Sequence, residues 1–354
     1  MKIGIFTKFG MIGGSELRAI EFANALSQHT KHDSYILSEK EFVPKLRPYL
    51  DDNIPVYSNI FKDEQNSKIL YDMNSILIVN SDSKKFTDLD FWTGKSKEHK
   101  LKINLNKIKQ MVFLFNFIIS PSIKLGIFSK VVKDIRIAAT NTKFFNEISY
   151  QDRYEPVKHL PRTILFSPIQ PKNLTIDKNP SDKIRLGMHS RGLGNKWNKD
   201  YHKLIRKINE DRGEDSLIWD FMGCSSDFRK SVENIPNVIT RKEFSVPVKK
   251  YLKNIDIFIF FPSWSREEAW GRVVAEAMIS GCPVVTSNKG GNPDQVIHGN
   301  TGFLCKNTEE FVKYTNNLCK NKELYNSLQN NSMRFARNFY PETIIKQFEN
   351  FIRY

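Results

Sequence analysis

Cysteine is scarce. The chain holds four in 354 residues, Cys224, Cys282, Cys305 and Cys319, with no C-x-x-C pair and no metal-like spacing. That argues against a disulfide framework or a zinc module and reads as reduced thiols in a reducing compartment. Long hydrophobic runs are also missing. The most apolar stretch, MVFLFNFIISPSIKLGIF, is interrupted by Asn116, Pro121 and Lys124, which excludes a membrane span. The opening MKIGIF has too short an apolar run for a secretory leader. The expected location is therefore cytoplasmic, with peripheral attachment at the inner membrane face left open. Acidic residues are outnumbered, 39 against 54 Lys and Arg, for a net charge of +15. Such a surplus attracts anionic partners: nucleic acid, an acidic membrane surface or phosphorylated small molecules. A Lys- and Asn-rich composition also arises from nucleotide bias, and that plainer reading of the charge stands beside the first.

What is present is 40% hydrophobic and 26% charged, the composition of a globular chain, and its length suits two cores better than one. The opening KIGIFTKFGMIGGSELRAIEFANAL reads as a strand, a glycine loop and a helix, with Leu17, Ile20, Phe22, Ala23 and Leu26 at helical spacing. The short apolar runs SYILS, SILIVNS, QMVFLFNFIIS, IRIAAT and TILFSPI follow. A second set comprises KIRLGMHS, IWDFMG, NVITR, DIFIFFP and CPVVTS. Strand-like runs alternating with helical patterns predict an α/β chain with parallel, doubly wound sheets. Between the sets lies PIQPKNLTIDKNPSDK, rich in Pro, Asn and charge and suited to a linker. The expectation is two Rossmann-like domains facing across a cleft, 1–170 and 171–337. A final amphipathic helix within 338–354, carrying Thr343, Ile344, Phe348 and Ile352, would return to the first domain.

The segment SREEAWGRVVAEAMISGCPVV places Glu268 and Glu276 with seven residues between them. A helix starting near Gly271 would leave its first amides as donors for an anion such as a diphosphate. Glu268 would precede that helix and Glu276 would sit more than a turn inside it. Ionised carboxylates accept hydrogen bonds from hydroxyls, so two of them suit a polyhydroxyl ligand. The plainer reading makes Glu267 and Glu268 early-turn acids favoured by the helix dipole.

The longer run decides between them. Pro262-Ser263, Glu268-Ala269-Trp270-Gly271, Glu276-Ala277-Met278, Gly281, Pro283-Val284-Val285, Gly290-Gly291, Asp294 and Gly299-Asn300-Thr301-Gly302 follow one another in order. Together they resemble the donor-site pattern of retaining GT-B glycosyltransferases of the glycosyltransferase family 4 type (glycosyl transferases group 1). Gly13 and Gly14 in GGSE are similar to the family's N-terminal glycine loop. Arg191, with Lys196 five residues on, resembles its diphosphate-gripping pair. The resemblance implies a metal-independent enzyme without a cofactor, using a nucleotide-diphosphate sugar as co-substrate. It implies Glu276 on the ribose, Glu268 on the transferred sugar, amides around Gly271, Arg272 and Val273 over the diphosphate and sugar, and Arg191 and Lys196 on the leaving diphosphate. Cations there would stabilise the charge that builds in the transition state. The anomeric configuration would be retained by departure and attack on one face. Ala269 stands where the family usually has Gly, Trp270 where it has Phe, and Arg272 where an aliphatic residue is common. Asn116 falls where many members carry a histidine directed at the sugar, although a turn role fits it equally. A rival D-x-D, Asp88 to Asp90, has the form of a GT-A metal site, but that pattern is common by chance.

Acceptors of such enzymes bind mainly to the first domain. There, from Lys95 to Arg136, ten basic residues stand against Glu98 and Asp134. The interleaved Phe113, Phe115, Phe117 and Phe128 read as core more than as stacking platforms. The favoured acceptor is a glycan or lipid-linked glycan, with the basic domain docking on anionic membrane. A modified base in nucleic acid is less favoured, since no base-reading motif is visible. A non-catalytic nucleotide-sugar-binding protein is opposed by the intact Glu268, Glu276, Arg191 and Lys196.

Overall fold

A computed structural model describes residues 1–10, 13–79, 89–95, 101–115, 125, 128–174, 178, 182–192, 196–213 and 216–353. Its contacts divide the chain into two units, Met1–Ile169 with Phe339–Tyr354, and Gln170–Asn338.

The first unit is built on β1 (Lys2–Thr7), β2 (Asp33–Ser38), β3 (Val56–Tyr57), β4 (Ser75–Val79), β5 (Gln110–Phe115), β6 (Asp134–Ala139) and β7 (Arg162–Ile164). They pair in the order β3-β2-β1-β4-β5-β6-β7, all in parallel. β4 and β5 are buried along their whole length, which is why they read as unbroken apolar runs in the sequence. Phe113, Phe115 and Phe128 are fully buried in the core, while Phe117 and Asn116 lie outside the described residues, as does Asp88 of the D-x-D.

The C-terminal helix, Pro341–Arg353, packs on the first helix, Gly14–His29. Ile344, Ile345, Phe348 and Ile352 enter one cluster with Ala19, Phe22, Ala23 and Leu26, and the Phe22 and Phe348 rings meet edge to face at 6.2 Å. Its last carbonyls are capped from the sheet. Gln110 Nε2 donates to Ile352 O at 3.0 Å and Arg136 Nη1 donates to Phe351 O, with Asp134 holding the Arg136 guanidinium. Cations and amides at a helix C-terminus satisfy carbonyls that have no partner in the helix. Ile345 is more deeply buried than Thr343 because the stripe centres on positions 341, 344, 345, 348 and 352.

The second unit repeats the plan. β8 (Ile184–His189), β9 (Leu217–Met222), β10 (Val238–Arg241), β11 (Ile257–Phe260), β12 (Val284–Ser287) and β13 (Gly302–Cys305) run parallel in the order β10-β9-β8-β11-β12-β13. In both sheets the strand order reverses beside the first strand. The second sheet therefore has its switch point between β8 and β11, and ligands of doubly wound sheets bind outside the carboxyl ends of strands at such points. All four cysteines are free, three of them buried. No helix among the described residues is long and apolar enough to cross a membrane.

Candidate active site

The carboxyl ends of β8 and β11 carry most of the residues singled out in the sequence. After β8, Arg191 is exposed and Lys196 is nearly buried. The residues beside Lys196 hold it there. The buried Trp197 donates Nε1 to Gly223 O at 3.1 Å and to Arg191 O at 3.3 Å, and its ring packs on Phe228 at 4.5 Å. Asn198 crosses to the loop after β11, with its amide N on Phe261 O at 3.1 Å and Nδ2 on Pro262 O at 3.0 Å. The two loops at the switch point are thus bonded to each other.

Glu268 lies on the second of these loops and is 9% exposed. Two cations converge on one of its oxygens: Lys196 Nζ at 3.0 Å and Arg266 Nε at 2.9 Å, both to Oε2. Burial pushes the Glu268 carboxyl up, but Lys196 and Arg266 together outweigh it and hold it below the usual range. Burial drives Lys196 below the usual lysine range, aided by the fields of Arg266 and Arg191 and opposed by Glu268. The loop is backed by the Gly-Gly turn after β12, where the Gly291 amide donates to Glu268 O at 2.8 Å. Gly290 has φ +58°, and a Cβ there would stand 2.2 Å from the same carbonyl oxygen, so glycine is required. Lys289 Nζ reaches back to Trp264 O at 2.5 Å.

The helix Arg272–Ile279 begins just after Gly271. The amides expected to face an anion have acceptors within the chain: Gly271 N–H donates to Gln295 Oε1 at 2.9 Å, and Arg272 N–H to Trp270 O at 3.1 Å. Gln295 returns the contact, Nε2 to Gly271 O at 3.0 Å, so it clamps the helix start. Val273 opens the same helix and is partly buried. Glu276 is 6% exposed. Arg272 Nε donates to its Oε1 at 2.7 Å, and His189 Nε2 lies 3.4 Å from its Oε2 without hydrogen-bond alignment. Burial pushes Glu276 above the usual carboxylate range, with Arg272 opposing. His189 is buried against Tyr251 and Phe258, and desolvation, with the field of Arg272, pushes it down to about 3, so the ring is neutral.

Two donor-loop residues lie in the other unit. Gly13 caps the first helix in an extended conformation, and Gly14 is exposed, with nothing within 4 Å of an added Cβ among the described residues. His189, Trp197, Asn198, Arg266 and Gln295 did not emerge from the sequence as site residues. The tryptophan directly after Lys196 is a local signal in the sequence.

Residues 230–335 match the family model described as Glycosyl transferases group 1. The second unit carries a Glycosyl transferases group 1 domain. Among curated proteins, the capsular polysaccharide biosynthesis glycosyltransferase CapM of Staphylococcus aureus is 27% identical over 184 residues, which are 43% of this chain and 47% of that protein. The N-acetyl-alpha-D-glucosaminyl L-malate synthase of Bacillus anthracis is 32% identical over 88 residues, 24% of this chain and 23% of that protein. The chain thus spans about half, or less, of the length of these curated relatives. Among solved structures, Anabaena HepE in complex with UDP-glucose aligns with a TM-score of 0.71 at 16% identity, over 100% of this chain and 99% of that one. A glycosyltransferase from Rickettsia africae aligns with a TM-score of 0.74 at 14% identity, over 99% and 97%. At such identities the likeness carries the fold alone, which is GT-B.

Proposed function

We propose that the protein is a retaining, metal-independent glycosyltransferase that moves a sugar from a nucleotide-diphosphate sugar to a glycan or lipid-linked glycan. The observation that carries this reading is the pairing at the switch point. Two nearly buried carboxylates, Glu268 and Glu276, sit among Arg191, Lys196, Arg266 and Arg272. These four cations leave a surplus of two positive charges over the two carboxylates, which matches the two negative charges of a nucleotide-sugar diphosphate. The names of CapM and of the HepE complex with UDP-glucose support the substrate class.

In this reading Glu276 accepts from the ribose hydroxyls and Glu268 from the transferred sugar. Arg191 and Lys196 meet the diphosphate, which gains charge as its bond to the anomeric carbon breaks, and donors fixed in a poorly hydrated site act most strongly there. The acceptor hydroxyl bonds to the same face of that carbon and its proton passes to the departing phosphate oxygen. Arg272 adds a cation beside the ribose carboxylate. The basic surplus of the whole chain favours an acceptor held at an anionic membrane surface.

The test is a thermal-shift screen against a panel of nucleotide sugars, since a ligand of the folded state raises its stability. One family of donors is expected to stabilise the wild type, and Glu276→Ala and Lys196→Ala each to abolish most of that shift and of donor turnover. Unchanged donor hydrolysis in both variants would refute the site.

A further inference from the structure

The function proposed above sets Lys196 a conflict. Its ammonium is needed at the diphosphate, yet it is bound to Glu268 Oε2 at 3.0 Å. Were Lys196 to turn away from a carboxylate flanked by nothing else, Glu268 would be left as a nearly buried, uncompensated charge. The second cation on the same oxygen removes that difficulty. Resting on that reading, we infer that Arg266 is a positioning residue, the standing counter-ion of Glu268, which keeps this carboxylate charged and aimed while Lys196 moves to the donor.

Three features support it. Arg266 and Lys196 meet the same atom, so Oε2 keeps a cationic partner when one of them leaves. They come from different elements. Lys196 follows β8 and is linked to the Glu268 loop through Asn198, whereas Arg266 is two residues from Glu268 and moves with it. The planar guanidinium keeps its charge throughout the working pH range, while an ammonium in a buried site is readily discharged. Burial with the fields of Arg266 and Arg191 already lowers Lys196, so it is the cation that is discharged first as pH rises. Among the described residues, the charged groups that act on one another in this cluster include Lys196 and Arg191 from the loop after β8 and Arg266 and Glu268 from the loop after β11. From the Gly-Gly turn, the backbone of Gly290 and Gly291 meets the backbone of Glu268, and Lys289 is engaged at Trp264 O.

The experiment separates this role from the proposed function because its first arm needs no donor. Infrared titration of the Glu268 carboxyl, assigned by difference from Glu268→Gln, is made in Lys196→Met and in Lys196→Met with Arg266→Ala. Lys196→Met imitates the state in which Lys196 has left. Glu268 is expected to stay ionised through the mildly acidic range there, and to protonate at least about 1 pH unit higher once Arg266 is also removed. Equal titration in the two variants overturns the inference. The second arm is the pH profile of donor turnover. Arg266→Ala is expected to lose on the order of 100-fold in kcat/KM. Its acid limb should move to higher pH, because Glu268 must be ionised. Its alkaline limb should move the same way, because a field that lowers Lys196 is gone. Arg266→Lys should restore both limbs and part of the rate, an outcome that a purely structural role would not give. A wild-type profile in Arg266→Ala refutes the role even if Lys196→Ala is inactive. Absence of any donor binding in the wild type refutes the function instead and leaves the infrared arm decisive for the counter-ion.

Discussion

Replacing Gly290 with alanine tests whether the Gly-Gly turn sets the position of Glu268. At φ +58° the backbone is left-handed, which costs a residue with a Cβ about 1–2 kcal/mol. The new methyl would also stand 2.2 Å from Glu268 O, 3.0 Å from Glu268 N and 3.1 Å from Glu268 C. All three are backbone atoms, so no side-chain rotation relieves the clash. An ordinary carbon–oxygen contact requires the two segments to part by about 1 Å or more. The Gly291 amide bond to Glu268 O, now 2.8 Å, would stretch or break with it. Backbone cost plus displacement comes to about 2–4 kcal/mol, a fall of roughly 5–10 °C in melting temperature. The same shift moves the carboxylate of Glu268 relative to its partners, and a misplacement of about 1 Å can cost on the order of 100-fold in rate. The assay pairs a melting curve with donor turnover measured well below the new melting temperature. Gly290→Ala should lose turnover far beyond its unfolded fraction. A variant with a wild-type melting temperature and wild-type turnover would refute the claim that this glycine positions the site.

Two further outcomes are expected. Glu276→Gln should cut donor stabilisation without lowering the melting temperature at pH 7. The folded-state carboxyl is raised above its unfolded value, so the native state binds its proton more tightly, and ionised Glu276 lowers stability above that folded value. A clear loss of stability at pH 7 with normal donor binding would contradict both halves. The chain should also bind vesicles containing anionic lipid more tightly than duplex DNA at equal salt. Stronger binding to DNA, with a steep salt slope, would move the acceptor to nucleic acid.

Much of the fold was legible because parallel strands buried on both faces must be apolar throughout, and such runs stand out in a charged sequence. β3 and β13 escaped for a physical reason. The first is two residues long at a sheet edge, and the second, GFLC, starts on a glycine that was read as part of a turn motif. The charged part of the site was legible where its spacing is local, as with Glu268 and Glu276. Its partners are distant in sequence: Lys196 is 72 residues from Glu268, Asn198 is 64 from Pro262, and Gln295 is 24 from Gly271. Periodicity cannot supply such pairs. Nothing around Gln295 distinguishes it from other polar turn residues, and His189 was hidden inside a strand-like run.

The departures from the family pattern differ in physical consequence. Ala269 replaces a glycine, but it is absent from the residues with positive φ, so this backbone has no need of glycine there and the methyl is buried at 6% exposure. Arg272 is a different matter. It occupies Glu276 Oε1 at 2.7 Å, an oxygen the proposed role assigns to ribose hydroxyls. A donor must therefore either share that carboxylate with Arg272 or displace it. The 27% exposure of the Arg272 side chain leaves it room to turn toward a phosphate. Displacement would exchange a charge-assisted bond to the carboxylate for one to the diphosphate, keeping the cation satisfied while Glu276 turns to hydroxyl donors. Lys196 faces the same exchange at Glu268. In the proposed reaction the free site is thus neutralised by the groups that later hold the substrate, which lets two carboxylates remain buried before any ligand arrives.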